Sequence, residues 1–506
     1  MNPRFQIAIA VLGACGLGGC AVGPDYEKPD APTPAAFKEQ AGWKTSEPAD
    51  ALDRGPWWSI YNDPVLDGLE KKIDISNQTL KESEAAYRQA RAIVDQARAS
   101  FFPTITGDFS QTRSQSGSGG TGGGLVTAGG FLSRAGAARN EYTLSAGASW
   151  APDIWGKIRR TVESDVANAQ ASAAELAGAR LSTQATLAID YFELRTQEEL
   201  KRLLDTTVED YRRSFEIAQN QYNAGVAAKA DVLSAQTQLM NAQAAAINSG
   251  VLRSQLEHAI AVLVGEPPAS FSMALRPMPS TVPVVPAGVP STLLERRPDI
   301  ATAERRMAAA NAEIGVAISS YFPDLTLTGS YGYTSSEIGN LLTTPTRFWS
   351  FGPALAETLF DAGLRGAQVE QARATYDQAV ATYRQTVLAG FQQVEDELSD
   401  LRILAQQAAV EEAVVKTALE AARLTLNQYK AGTVPYSSVI TAQATALGTE
   451  ETALNVLENR LTASVTLVEA IGGGWNTSKL PDRDQVEDSD TPIPVVAGAT
   501  PVADKH

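Results

Sequence analysis

Two short stretches constrain this chain more than anything else in it. Asn220–Gly225 reads NQYNAG, and Asn427–Gly432 reads NQYKAG, at an offset of 207 residues. The same offset aligns Gly156 with Gly363, Ala235-Gln236 with Ala442-Gln443, and Val264-Gly265 with Ile471-Gly472. Further upstream the offset is 220, matching Phe101-Phe102-Pro103 with Tyr321-Phe322-Pro323 and Glu84 with Glu304. The 13-residue difference falls between Pro103 and Gly156, where the first copy carries the Gly/Ser-rich stretch Ser116–Gly130. Two copies of one unit therefore make up most of the chain, and the fold must be one that a duplicated unit can build.

Each unit reads in the same order. A helical segment (Pro64–Ser100; Asp299–Ser320) runs into FFP or YFP, where proline ends it. Strict alternation follows. Ile105, Gly107 and Phe109 alternate with Thr106, Asp108 and Ser110; Tyr142, Leu144, Ala146, Ala148 and Trp150 alternate with small polar residues. In the second copy Leu325, Leu327, Gly329, Tyr331 and Tyr333 form one strand, and Trp349, Phe351, Pro353 and Leu355 the return. Period two over about ten residues, with aromatics at the ends, is the pattern of a strand that is apolar on one face and long enough to cross a bilayer. It is also the pattern of an amphipathic hairpin packed on helices. A long helix is then expected from Lys157 to about Tyr222, and again from Leu364 to about Tyr429. These stretches are alanine-rich and free of proline. At 1.5 Å per residue each is roughly 100 Å long, which no single globular core requires. Gly225 and Gly432 are natural C-terminal caps. Shorter helices return over Ala228–Val264 and Ser437–Ile471.

Four strands cannot close a barrel, and open sheet edges are not tolerated in lipid. Spanning hairpins therefore demand oligomerisation, with eight strands in a dimer or twelve in a trimer. The long helices would continue the barrel as a tube on one side, and the QYxAG turns would close its far end. Periodicity and length alone lead to the shape of a conduit.

Composition narrows the chemistry. The net charge of −16 argues against nucleic acid, which needs a basic surface. His258 and His506 are the two histidines, too few for a histidine-based metal or acid-base site. The first residues read as an export signal: Arg4, a short apolar run over Ile7–Leu17, then Leu17-Gly18-Gly19-Cys20. Cleavage before Cys20 would leave that residue as the mature N-terminus and the acceptor of lipid, with Cys15 a rival of the same form inside the apolar run. The mature chain would then hold no other cysteine, so no disulfide, thiol catalysis or cysteine metal site is expected. No later run is long and apolar enough for a membrane-spanning helix.

Several motifs at matching spacing carry a resemblance as well. "CAVGPDYEKP" at Cys20–Pro29, "PWWSIYNDPVLDGL" at Pro56–Leu69 and "GVPSTLLERRPDIATAE" at Gly288–Glu304 resemble hallmarks of TolC-type outer-membrane efflux factors, in the NodT-like outer-membrane lipoprotein branch. The resemblance covers nearly the whole mature chain. It implies a homotrimer with a twelve-stranded barrel, four strands per chain, continued by a long α-helical barrel through the periplasm. It also implies a periplasmic adaptor, an inner-membrane pump of the resistance-nodulation-division class, and passive conduction of drugs and toxic compounds. In that family rings of aspartate narrow the periplasmic aperture. Asp231 matches one such position; its repeat partner is Ser438, and the following positions are Ser234 and Thr441, so the acidic ring is incomplete. Tyr222 and Tyr429 match the turn aromatics, and Gly225 and Gly432 the turns at which an adaptor hairpin would dock. No cofactor is implied beyond covalent lipid on Cys20, and no metal site.

The resulting division is a signal peptide (1–19), a lipid-anchored tether (20–63), repeat 1 (64–265), a Pro-rich connector (266–298), repeat 2 (299–471) and a flexible tail (472–506). Other clusters read as structural. Asp299 opens a helix, and Arg296 and Arg297 hold the connector beside it. Gly117–Gly124 lacks the Gly-Lys-Ser/Thr of a phosphate loop and suits an external hairpin loop. Glu395, Asp396 and Glu397 read as a solvated helix face, and no catalytic constellation is present. Two other readings use the same residues: an outer-membrane conduit for type I protein secretion, and a lipid-anchored coiled-coil scaffold that forms no pore.

Overall fold

The computed structural model describes residues 21–31, 33–40, 56–115, 138–285, 290 and 293–487. Two helices dominate it. α3 (Lys157–Asn223) and α7 (Leu364–Lys430) each run 67 residues without a break. Neither contains a proline, and each starts after a glycine at positive φ, Gly156 at 82° and Gly363 at 91°. Their apolar residues do not keep to one stripe, because each helix changes partners along its length. The first half of α3 lies against α2 (Gln78–Ala99) and α6 (Pro298–Ser319), the second against α4 (Lys229–Leu263) and α8 (Tyr436–Ala470). Ala167, Ala169, Ala171 and Ala174 are buried in the first half of the helix; Leu187, Tyr191 and Phe192 are buried where it crosses the main core.

That core sits around the midpoints of the long helices. It joins Trp57 and Trp58 of a short 3-10 turn, Leu66, Leu69 and Ile73 of α1 (Pro64–Ser76), the middle of α3 and α7, and the ends of α4 and α8. The sequence pattern suggests one helix over Pro64–Ser100, but α1 and α2 are separate. Asn77 breaks them: its side chain accepts from the Leu80 amide (2.9 Å), capping α2, and donates to the Leu263 carbonyl (2.7 Å). The connector is pinned by charged side chains, Arg195 and Glu198 buried and Arg253 half-buried. Arg195 pairs with Glu198 (2.5 Å) and donates to the Ala274 carbonyl (3.0 Å); Arg253 donates to the Met273 carbonyl (2.9 Å). The short α5 (Leu293–Arg296) then leads into α6. Arg297 grips both ends of its junction, donating to Asp299 (2.7 Å) and to the Ala470 carbonyl (2.8 Å).

The four strands are β1 (Thr104–Ser114), β2 (Arg139–Trp150), β3 (Asp324–Ser335) and β4 (Arg347–Ala356), antiparallel in that spatial order. β1 and β4 are the edges. The register sets Phe109 opposite Leu144, Trp150 opposite Leu327 and Tyr331 opposite Trp349. Ile105, Phe109, Leu144, Trp150, Tyr331, Trp349, Phe351 and Leu355 therefore share one face, and all are exposed in the single chain. The other face is hydroxyl-rich, with Ser330 bonded to Ser350 (2.8 Å) and Thr143 to Thr334 (3.2 Å). No described helix is long and apolar enough to cross a membrane.

The tail departs from expectation at its start. Beyond Gly472 the chain folds into a 3-10 turn (Thr477–Lys479) and α9 (Arg483–Glu487). Val486 is fully buried in the groove between α2 and α3, against Val94, Val162 and Val166. Arg98 donates to the Glu487 carbonyl (2.5 Å) and Gln170 to that of Pro481 (3.0 Å). One valine in a polar stretch is enough to seat it. The rest of the tail lies outside the described residues.

Candidate functional site

The helix tips farthest from the sheet hold the residues singled out in sequence. In the first turn Gly225, at φ 76°, donates to the Tyr222 carbonyl (2.9 Å), and Val226 donates to that of Gln221 (3.0 Å). In the second turn Gly432, at φ 72°, donates to the Tyr429 carbonyl (2.9 Å), and Thr433 to that of Gln428 (3.0 Å). The turns share one backbone solution, a left-handed residue that closes the last helical turn. A Cβ on either glycine would meet no atom within 4 Å.

The side chains around the two turns differ. Tyr222 is exposed, at 41 %, whereas Tyr429 is buried, at 4 %. Tyr429 packs edge-on against Tyr436 of α8, ring centres 5.1 Å apart, and both rest on Ala218, Val232, Ala235 and Val439. This cluster fastens the α7–α8 turn onto the α3–α4 turn of the same chain, helped by Gln221 donating to the Tyr429 carbonyl (3.4 Å). Asp231 sits half-buried in the first turn of α4 beside these phenols. Burial, and then the Asp231 carboxylate, push the Tyr429 phenol above its ordinary range; Tyr436 is raised by the same causes together with Tyr429 and Tyr211. The Tyr429 hydroxyl is buried with no hydrogen-bond partner. Tyr436 was not legible as a tip residue because its repeat partner is Lys229; the aromatic following Pro435 was the available signal. Above the tip a groove of about 690 Å³ runs between α4 and α8, floored by Leu204 and Tyr211 and walled by Thr237, Gln238, Ala444 and Leu447.

Cys20 lies outside the described residues, but its neighbours are fixed. Ala21 lies against Gly156 so closely that a Cβ on that glycine would come within 2.6 Å of the Ala21 Cα. The Val22 amide donates to the Trp155 carbonyl (3.1 Å). Buried Arg160 donates to the carbonyls of Val22 (3.2 Å) and Gly23 (3.3 Å) and to Asp25 (2.8 Å). Gly23, at φ 101°, touches Gly315 of α6, Asn311 donates to the Pro24 carbonyl (3.1 Å), and Tyr26 donates to Glu304 (2.7 Å). The "AVGPDY" stretch is thus a strap laid from the base of the sheet across α3 and α6.

The strap continues to α7, and there Glu395 is not a solvated side chain. Its carboxylate accepts from the backbone amides of Lys38 (2.6 Å) and Glu39 (2.9 Å). Glu397 on the same helix is half-buried, and burial with Asp400, Asp396 and Glu469 nearby lifts its carboxyl to about 7. His258 is exposed on α4. No group of three or more metal-ligating side chains occurs among the described residues. Gly117–Gly124 lies outside them.

The family model for outer membrane efflux proteins matches residues 71–266 and 289–473, one match on each repeat. The chain is 28 % identical over 465 residues to the probable efflux pump outer membrane protein TtgC of Pseudomonas putida, covering 91 % of this chain and 93 % of that one. It is 27 % identical over 465 residues to the probable outer membrane lipoprotein SilC of Salmonella typhimurium, covering 91 % and 96 %. Among solved structures, the outer-membrane channel OprN superposes with a TM-score of 0.80 at 28 % identity, over 90 % of this chain and all of that one. With duplicated helical hairpins, a half-apolar four-stranded sheet and these relatives, the chain belongs to the outer membrane efflux protein family and is the outer-membrane channel component of an efflux pump.

Proposed function

We propose that three copies of this chain close a twelve-stranded barrel in the outer membrane and a helical tunnel beneath it. The tunnel passively conducts small molecules from a periplasmic adaptor and an inner-membrane transporter to the exterior. One observation carries the reading: a sheet with an apolar face and two open edges continues directly into two unbroken 67-residue helices. Open edges in lipid must be closed by further copies, and helices of that length suit a tube rather than a globular core. The wall does no chemistry in this reading; energy and substrate choice come from the partners.

In the same reading Cys20 is acylated after removal of residues 1–19, with 20–63 as tether, 64–265 and 299–471 as the two repeats, 266–298 as connector and 472–506 as tail. The relative named as an outer membrane lipoprotein supports that anchor. Tyr222, Gly225, Asp231, Tyr429 and Gly432 border the periplasmic aperture, and the two glycine turns receive the adaptor. With Ser438 in the second repeat, Asp231 supplies one carboxylate per chain at this level.

The test is conductance of the purified protein in planar bilayers, with Asp231→Ala beside wild type. Discrete channel events are expected, with weaker cation preference in the variant. Absence of events from both, in protein whose mass shows three chains, would refute the conduit.

A further inference from the structure

The apolar face of the sheet carries two charged residues, and both are cations at the same end. Counted in twos along the strands from Phe109, Leu144, Tyr331 and Trp349, that face ends in Arg113 on β1 and Arg347 on β4. No other Asp, Glu, Lys or Arg of the four strands falls on it; Asp108, Arg139, Glu141 and Asp324 all fall on the hydroxyl-rich face. β1 follows α2 and β4 leads to α7, so both arginines stand at the end away from the helices, beside the hairpin loops. Both are exposed, and neither makes a hydrogen bond or ion pair among the described residues.

They also stand at one level. The repeat offset of 220 sets Arg113 on Tyr333, and Tyr333 lies directly opposite Arg347. Around that level the face turns from apolar to amphipathic. Gln111 donates to the Tyr142 hydroxyl (3.3 Å), the Tyr331 and Tyr333 hydroxyls are 3.3 Å apart, and Trp349, two residues inside Arg347, is 73 % exposed. Phenol and indole rings place their bodies in hydrocarbon and their polar edges among headgroups. From Thr104 to Arg113 the strand climbs roughly 23 Å, at about 3.3 Å per residue and a tilt of about 40°, close to the apolar band of about 25 Å on outer-membrane barrels. The arginines therefore reach the headgroups of the leaflet farther from the helices. At the helix end the same face stops at Trp150, Leu325 and Leu355, with no charge.

We propose that Arg113 and Arg347 bind the phosphates of an outer-leaflet glycolipid of the lipid A class, at three sites per trimer. The inference rests on the oligomer proposed above, in which β4 of one copy borders β1 of the next and brings Arg347 and Arg113 together at each seam. Two guanidinium groups at one level on adjoining strands, with no carboxylate on their face, repel each other until an anion lies between them. The guanidinium fork matches phosphate oxygens two bonds at a time, and the ion pair strengthens where headgroups exclude water. Two cations suit a headgroup with two phosphates better than a phospholipid with one phosphodiester. The acyl chains would then lie along the apolar strands toward the helix end, over Phe109, Phe351 and Leu355. The asymmetry of the face selects the leaflet: a lipid of the inner monolayer meets no cation on the strands.

Native mass spectrometry of the full-length protein in detergent, titrated with bisphosphorylated lipid A, tests it. Wild-type trimers should retain up to about three lipid molecules, one for each Arg113–Arg347 pair. Arg113→Gln with Arg347→Gln should weaken binding by at least about tenfold, and removal of both phosphates from the lipid should do the same to wild type. The same spectra show whether the variant is still a trimer. Arg139→Gln, at the same end of the sheet but on the hydroxyl-rich face, should leave binding unchanged. Binding that survives in the double variant, or that is equal for the dephosphorylated lipid, would overturn the site. Equal affinity for phosphatidylglycerol, lost with the same two arginines, would overturn the choice of glycolipid. A wild-type protein whose mass is that of one chain would refute the trimer itself, an outcome distinct from the others.

Discussion

Glu70 should make this protein less stable as pH rises, and Glu70→Gln should remove that dependence. The side chain is fully buried in α1, and both carboxyl oxygens lack a hydrogen-bond partner. Burial, and then repulsion from Asp74 and Asp67, raise its pKa from 4.5 to about 9. The folded chain therefore holds a proton that the unfolded chain releases above pH 4.5. For an acid shifted upward, stability is complete below the unfolded value and falls as pH rises toward the folded one. At about 1.4 kcal/mol per unit, the loss is roughly 3 kcal/mol at pH 7 and levels off near 6 kcal/mol above pH 9. Glutamine keeps the shape without the titration. The variant should melt close to wild type at pH 4.5 and progressively higher than wild type up to pH 9. Thermal unfolding of both proteins across that range, followed by tryptophan fluorescence, measures the divergence. An infrared band of a protonated carboxyl at pH 7, weaker in the variant than in wild type, reads the proton directly. Melting curves separated by a constant offset at every pH would refute the reasoning.

Three further outcomes follow from local geometry. Gly225→Ala and Gly432→Ala meet no steric obstacle but force an L-residue to positive φ; each should cost about 1–2 kcal/mol, read as faster amide exchange confined to its own turn. Arg160→Ala removes the donor that holds Val22, Gly23 and Asp25; amide exchange over residues 21–26 should rise sharply while that of β2 is unchanged, and unchanged strap protection would refute the assignment. Tyr429→Phe should be neutral or slightly stabilising, since its buried hydroxyl has no partner, whereas Tyr436→Ala should destabilise the tip by about 3–5 kcal/mol. Comparing exchange at Gln428–Thr433 in the two variants separates them.

Most of the fold was legible because the chain states it twice. One glycine turn is ambiguous, but two at the same offset, each after a long proline-free stretch, fix the order of elements. The strands were legible from period two alone. What escaped depended on contacts between segments distant in sequence. Asn77 reads as an ordinary polar residue in a helix until the Leu263 carbonyl arrives to accept its amide. Glu395 reads as solvated until the strap delivers two backbone amides to it. Val486 is one of several apolar residues in a mostly polar tail, and only the α2–α3 groove reveals its place. At the tip, matching by repeat found both tyrosines of the QYxAG elements but could not say that Tyr222 is exposed and Tyr429 buried.

That last difference shows what duplication leaves free to diverge. Where the two repeats perform the same task, as at the glycine turns and the caps of the long helices, their backbone geometry is nearly identical. Where one half must meet the other, they have separated. The second repeat has gained Tyr436 where the first has Lys229, and the first keeps Asp231 where the second has Ser438. The aromatic pair binds the α7–α8 turn onto α4, so the two hairpins of one chain form a single unit at the tip. Rearrangement of the tips then comes most cheaply where no such cluster exists within the chain, along the faces of α4 and α7 that one copy leaves uncovered. Leu233, Met240 and Ile247 on α4, and Ile403, Val410 and Leu424 on α7, are the exposed apolar residues there. In the proposed trimer those faces would lie between chains, and opening would amount to three rigid hairpin pairs shifting against one another, with Asp231 carried on each.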